Sequence, residues 1–169
     1  MIIYNGREVH TYTIPGQPIP WARPRISGRT FFDSQRPIKN IWAISLQYQR
    51  EGQPFYEKTP LELVCHFYFS IPASYNPKRR KELDGEPYLY KGDLDNCVKF
   101  IGDNCNAILF DDDCTIFKIN ATKTYSLNPR TEFALIPHKP TKPTRKTEKK
   151  LAKSNAFKLN LKEFDAHDE

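Results

Sequence analysis

Leu61, Leu63, Cys65, Phe67 and Phe69 alternate with Glu62, Val64, His66, Tyr68 and Ser70, a two-residue rhythm that predicts a strand over residues 61–71. The second set is not wholly polar, so both faces of this strand are expected to be partly covered. Residues 9–14 alternate in the same way and stop at Pro15-Gly16, and Thr30-Phe31-Phe32 predict a short strand. Residues 115–125 and 132–136 predict two more, joined through Ser126-Leu127-Asn128-Pro129-Arg130 as an antiparallel pair. Helical spacing replaces alternation in three places. Pro37 opens a helix reaching about residue 50, with Ile38, Ile41, Trp42, Ser45, Leu46 and Gln49 on one face. Residues 77–84 predict a short basic helix carrying Lys78, Arg79, Arg80 and Lys81. In a third helix, over residues 95–108, Cys97, Phe100, Ile101, Cys105 and Ile108 fall on one side and Asp95, Lys99 and Asp103 on the other. Between the first strand and first helix, Gln17-Pro18-Ile19-Pro20-Trp21-Ala22-Arg23-Pro24-Arg25 reads as an extended, proline-pinned loop bearing arginines.

The rhythm ends at Pro137. Beyond it prolines alternate with lysines and arginines, a texture that predicts an extended segment with a little helix near residues 147–153. Phe157-Lys158-Leu159-Asn160-Leu161 is a late strand or a docking peptide. The expected organisation is therefore a folded domain over residues 1–136 and a basic, proline- and lysine-rich extension over residues 137–169. The chain has a net charge of +6, and residues 137–169 hold nine Lys/Arg against five Asp/Glu, so most of the excess lies in the extension. A 38% hydrophobic content supports a packed core in a chain of 169 residues. A basic chain with a local acidic cluster points to a polyanionic partner whose reaction uses a metal ion, although basic character also serves solubility alone.

The four cysteines show no CxxC pair and no zinc spacing with histidine. Cys97 and Cys105 on one helix would stand about 12 Å apart, too far to bridge. Buried free thiols of an intracellular protein are expected. The first residues lack the apolar run of a signal peptide, and no window is long enough to span a bilayer, so a cytoplasmic location in a bacterial or phage-infected cell is expected, with no membrane partner.

Chemistry concentrates in Lys91-Gly92-Asp93-Leu94-Asp95-Asn96-Cys97-Val98-Lys99 and, one helix later, Asp111-Asp112-Asp113. Asp93 and Asp95 are two apart at a strand-to-helix junction, where both side chains can point one way. Asp95 also suits the N-cap of its helix, and Asp95-Lys99-Asp103 is equally the pattern of an ordinary solvated stripe. Crowded carboxylates repel unless a cation sits among them, and the usual cation is a hard divalent metal such as Mg²⁺ with oxygen ligands. One or two of the Asp triplet would complete such a cage, which activates water for in-line attack on phosphorus. Lys99, one turn past Asp95, is placed to neutralise charge developing in the transition state.

The order Asp93-Leu94-Asp95-Asn96, Lys99, a helix and then Asp112-Asp113, together with Ile14-Pro15-Gly16-Gln17-Pro18-Ile19-Pro20 and Arg23-Pro24-Arg25, resembles the RusA family of Holliday junction resolvases over about residues 10–136. The resemblance implies an α+β fold: a two-layer sandwich with a small mixed β-sheet packed by two or three helices, assembled as a homodimer. It implies Mg²⁺, with Mn²⁺ as a substitute, held by Asp93, Asp95 and Asp113 with Asp112 as its neighbour, and Lys99 needed for cleavage. No small-molecule cofactor is implied. The partner is branched DNA, a four-way junction cut by paired symmetric nicks in recombination and repair. Gly92 stands where that family usually has proline. Arg23, Arg25, Lys78, Arg79, Arg80 and Lys91 are the expected DNA phosphate contacts, and the basic extension is a further one; surface solubility is the competing role for each. Trp21, Phe31 and Phe32 would either wedge at the junction centre or pack. A non-catalytic branched-DNA-binding protein and a nuclease preferring flaps or forks remain as other readings of the same residues.

Overall fold

The strand over Leu61–Ser70 becomes the centre of the molecule because its first five residues are all buried, odd and even positions alike. A strand covered on both faces belongs inside a sheet, flanked on both sides. The computed structural model describes residues 2–4, 6–27 and 30–139, and the chain divides after His138. Eight strands precede that point: β1 (Ile2–Tyr4), β2 (Arg7–Val9), β3 (Thr11–Pro15), β4 (Arg25–Ser27), β5 (Thr30–Phe32), β6 (Leu61–Ser70), β7 (Ile116–Ser126) and β8 (Arg130–Pro137). Three α-helices accompany them: α1 (Arg36–Gln49), α2 (Pro77–Leu83) and α3 (Leu94–Cys105). Four strands form one mixed sheet in the order β3-β8-β6-β7, while β1-β2 and β4-β5 are two-stranded antiparallel ribbons. The fold is α+β, a small mixed sheet packed by helices.

β7 runs parallel to β6, and β8 runs antiparallel to β6 on its other side. The expected hairpin between β7 and β8 is therefore absent: β6 lies between them. The loop spanning residues 127–129 straddles the end of β6, a step of two strand spacings, about 10 Å, which three extended residues can cross. The reason lies in burial. Residues 117–120 of β7 are all exposed, the mark of an edge strand, whereas β6 needs cover on both faces.

The odd positions of β6 face the helices. Leu61, Leu63, Cys65, Phe67 and Phe69 join Tyr12, Phe133, Trp42, Leu46 and the apolar stripe of α3 in one core. Trp42 meets Phe100 edge-on at 5.0 Å between centroids, locking α1 to α3. α1 starts with Pro37 in its first turn, where a missing N–H costs nothing. Of its expected inner face only Trp42 and Leu46 are buried, and Ile41 is exposed. α3 ends at Cys105, short of residue 108, because Ala107 takes a left-handed backbone (φ 61) and its N–H turns back to Phe110 O. That reversal drives Leu109 and Phe110 fully into the core. On the other face of the sheet, Glu62 is buried but paired to Lys118 Nζ at 2.9 Å. Arg130 lies over the Tyr68 ring at 3.8 Å.

Cys65, Cys97 and Cys105 are buried free thiols as expected, but Cys114 is exposed, because it sits in a short 3-10 turn before β7 and not in the strand. The expected helix at residues 147–153 and the strand or docking peptide at 157–161 fall outside the described residues. Among the described residues, no helix is long and apolar enough to cross a membrane. Phe100 is the clearest test of the core, being fully buried between α1 and the sheet. Phe100→Ala should cost about 3–5 kcal/mol in urea-denaturation stability; a loss under about 1 kcal/mol would mean that α1 and α3 are not packed through this ring.

Candidate active site

With Cys97, Phe100, Ile101 and Cys105 seated on the sheet, α3 has to present Asp95, Lys99 and Asp103 outward, and all three are exposed. The helix begins one residue earlier than expected. Asp93, not Asp95, is its N-cap, and the Asp93 side chain makes no capping hydrogen bond. Asp93 thus keeps its carboxylate uncommitted to the helix end, while Asp95 lies in the first turn, where the helix dipole favours a negative charge.

The chain returns to α3 through a 3-10 turn at Asp113–Thr115. This turn sorts the Asp triplet. Asp111 accepts from the backbone N–H of Lys58 at 3.1 Å and of Asp112 at 3.1 Å. Asp112 caps the turn, its Oδ1 accepting from Cys114 N at 2.8 Å. Asp113 alone of the three lines the cleft beside α3. A methyl group at Gly102 would lie 3.7 Å from Asp113 Oδ2, so the helix offers its barest position where this carboxylate approaches. The cleft, of about 890 Å³, is lined by Asp95, Lys99 and Asp113 over an apolar floor that includes Leu63, Val98 and Ile119.

Asp113 is held against the charge of its neighbours. Burial raises the Asp113 pKa above the ordinary carboxylate value, and a hydrogen bond shared with Asp112 and the charges of Asp112 and Asp103 add to it. Asp112 moves the other way, lowered chiefly by its bonds to Cys114. The Cys97 thiol is pushed up to about 11 by burial, opposed by Lys123 and reinforced by Asp93 and Asp95, so it is a protonated core group and not a nucleophile.

For a metal ion, the donor chemistry is that of a hard divalent cation: carboxylate oxygens with no sulfur or imidazole beside them in the cleft lining. Among the described residues no group of three or more His, Cys, Asp or Glu side chains is gathered tightly enough to hold an ion. The structure places two of the expected ligands, Asp95 and Asp113, on one cleft and leaves Asp93 at the helix cap and Asp112 on its own turn. Two carboxylates fit Mg²⁺, which typically takes one or two protein carboxylates and completes its shell with waters and substrate phosphate.

The expected DNA contacts are spread out. Arg23 is exposed on the proline loop and Arg25 is exposed at the start of β4, where the loop expected to reach residue 25 has already become a strand; Lys91 is exposed two residues before Asp93. Lys78 and Arg79 are exposed on α2, where Arg79 reaches Glu82 at 3.4 Å, and Arg80 is half-buried. Arg79 lines a separate cleft with Tyr90 and Tyr125. Phe32 is exposed, the Phe31 side chain lies outside the described residues, and Trp21 is half-buried against α3.

Lys123 is a residue the sequence reading passed over. It projects from β7 opposite Phe67, on the helix side of the sheet. Its Nζ donates to Gly92 O at 2.9 Å and to Tyr90 O at 3.4 Å, tying the segment that leads into Asp93 to the sheet. Gly92 is needed there. Its φ is +113, and a Cβ would come within 3.2 Å of the Phe69 ring. Proline, locked near −65°, cannot take that conformation. The signal was available: Ile119, Ala121, Lys123 and Tyr125 share one strand face, and a lone lysine in that series asks for a partner.

A sequence model of the family described as Endodeoxyribonuclease RusA matches residues 15–136. A Bacillus subtilis (strain 168) protein described as "Uncharacterized protein YqaN" is 27% identical over 132 residues, covering 73% of this chain and 93% of its own length.

Two outcomes follow from this geometry. Because the folded pKa of Asp113 lies above its unfolded value, its contribution to stability is full below the unfolded pKa and is lost as pH rises through the raised folded value. Asp113→Asn should therefore raise the thermal midpoint at neutral pH in EDTA, and weaken the pH dependence just above the ordinary carboxylate range; a lower midpoint would contradict the crowding. Lys123→Met should speed amide hydrogen exchange across residues 90–93 by at least about tenfold, the loss expected for hydrogen bonds from a charged group. Unchanged exchange there would show that the segment is held by something else.

Proposed function

Since the chain belongs to the RusA endodeoxyribonuclease family, we propose that it is a Mg²⁺-dependent structure-specific endonuclease that resolves four-way DNA junctions by paired symmetric nicks. The observation that carries this is the convergence of Asp95 and Lys99 of α3 with Asp113 of the later 3-10 turn on one cleft at the open edge of the sheet. Asp95 and Asp113 hold the divalent ion, with Asp93 beside the helix start as a third carboxylate and Asp112 supporting Asp113 through their shared hydrogen bond. When bound, the ion supplies Lewis-acid polarisation of the phosphodiester and lowers the pKa of the attacking water.

The chain's own groups do the rest. Lys99 places an ammonium at the cleft, where it stabilises negative charge on the phosphoryl oxygens as the transition state forms. Arg23, Arg25, Lys78, Arg79, Arg80 and Lys91 bind backbone phosphates, and the basic segment after residue 137 adds further contacts of the same kind; such contacts position DNA and make binding salt-dependent. Two matched cuts need two matched sites, which a two-fold symmetric homodimer supplies.

A synthetic four-way junction incubated with the protein should be nicked on opposing strands in Mg²⁺ and left intact in EDTA. Binding without Mg²⁺-dependent paired incision, at any enzyme level, would sink the resolvase reading in favour of a non-catalytic binder; cutting only of flaps or forks would transfer it to another branched substrate. Asp95→Asn should lower cleavage by at least about a hundredfold while junction affinity stays within about threefold, and Lys99→Ala should slow cleavage by about 10²–10³-fold. Equal losses of binding and cleavage in Lys99→Ala would reduce Lys99 to a phosphate contact.

A further inference from the structure

Lys99 sits one helical turn from Asp95 on one side and from Asp103 on the other, the spacing at which a helix ordinarily forms ion pairs. It forms neither. Among the described residues no carboxylate lies within ion-pair distance of its ammonium. Instead Lys99 Nζ rests 3.8 Å from the centroid of the Trp21 ring. Tryptophan is the strongest aromatic partner for a cation, and the contact gains strength where water is partly excluded, as at this half-buried indole.

The loop that carries the indole is tied down at several points. The backbone N–H of Trp21 donates to Asn96 O of α3 at 2.8 Å, which pins the loop at this residue. On either side of it, Gln35 at the start of α1 clasps the loop twice, its Nε2 donating to Pro20 O at 2.9 Å and its Oε1 accepting from Ala22 N at 2.9 Å. Further back, Gln17 Oε1 accepts from Ser70 N at 3.0 Å. With Pro18, Pro20 and Pro24 removing conformational freedom, the loop carries the ring to α3 as a fixed fitting.

Resting on the nuclease reading above, we propose that Trp21 is a positioning residue for Lys99: its ring holds the ammonium at the cleft and out of ion pairs with Asp95 and Asp103, so that Asp95 stays free for the divalent ion and Lys99 stays free for the scissile phosphate. A cation–π contact suits this role because it is non-competitive. A carboxylate partner would occupy the same lone pairs that the ion needs and would cancel the charge that the transition state needs. The ring does neither, and a phosphate, being a full anion, displaces it readily.

The first test does not depend on cutting. In ¹H–¹³C spectra of the full chain, the Lys99 ε-methylene, identified by its loss in Lys99→Ala, should be shifted upfield by the indole ring current. It should return to the ordinary lysine position in Trp21→Leu and remain partly shifted in Trp21→Phe. Adding uncut junction to Asp95→Asn should move it downfield as the phosphate takes over. An ordinary Lys99 signal in the unsubstituted protein, or one unmoved by Trp21→Leu, overturns the proposal.

The second test reads the consequence. In single-turnover cleavage Trp21→Leu should fall about five- to thirtyfold, the span expected for losing a partly desolvated cation–π contact, with Trp21→Phe between it and the unsubstituted protein. The Mg²⁺ concentration giving half-maximal rate should rise in Trp21→Leu, because Lys99 then competes for Asp95. In a Lys99→Ala background Trp21→Leu should add no further loss. A loss of equal size in that background would overturn the positioning role and make Trp21 a DNA or packing contact. Absence of any Mg²⁺-dependent cutting by the unsubstituted protein would defeat the nuclease reading alone, and the spectra would still decide whether Trp21 holds Lys99.

Discussion

The seating of α3 on β6 is the constraint from which the rest of the molecule follows. Four side chains, Cys97, Phe100, Ile101 and Cys105, are withdrawn from solvent completely against the odd face of that strand. Each fully buried large apolar side chain contributes about 1.5–3 kcal/mol, so the rotational setting of the helix is fixed far more firmly than any surface charge could fix it. Once the apolar stripe is down, the polar stripe has one place to go. Asp95 and Lys99 are delivered to the edge of the sheet by the hydrophobic effect, not by their attraction for anything there.

A site made this way holds its charges at the expense of local electrostatics. Asp113 is brought beside α3 by a capped 3-10 turn, and its raised pKa records the burial and the neighbouring carboxylates it has to tolerate. Groups kept in mutual conflict within a cleft are a common sign of function, because the conflict is relieved by what binds. The surrounding fixtures point the same way. Lys123 pulls the residue 90–92 segment onto the sheet, Gly92 accepts a backbone conformation closed to most residues, and Trp21 is clamped between α1 and α3. Each of these bears on a segment that leads into Asp93 or lies against Lys99.

The edge position of β7 completes the arrangement. Its free side is covered near its C-terminal end, where Gly85, Glu86 and Tyr88 bond to its backbone, and this same segment runs on into Asp93. An exposed strand edge is a liability that proteins usually cover. Here the cover also serves as the lead into the acidic motif, while residues 117–120 near the other end remain exposed.

Periodicity alone determined the local elements: the β6 alternation, the split of α3 into an apolar and a charged stripe, and the proline loop are all written in spacings of two to four residues. The choice of Asp113 over Asp112 came through family resemblance, and in the structure Asp112 caps its own turn. The order of the strands was not legible, because the short link from β7 to β8 looks like a hairpin until the burial of β6 on both faces is known. The helix start was missed by one residue, since Asp93 and Asp95 are equally good caps by type. The partners of Lys99 and Lys123 were beyond reach for a simpler reason. Trp21 and Lys99 are 78 positions apart, Gly92 and Lys123 are 31 apart, and nothing in either local pattern encodes the other. The sequence determined which faces carry charge; only the packing of α3, the proline loop and β7 against one another decided which charges meet, because that depends on long-range burial and not on spacing along the chain.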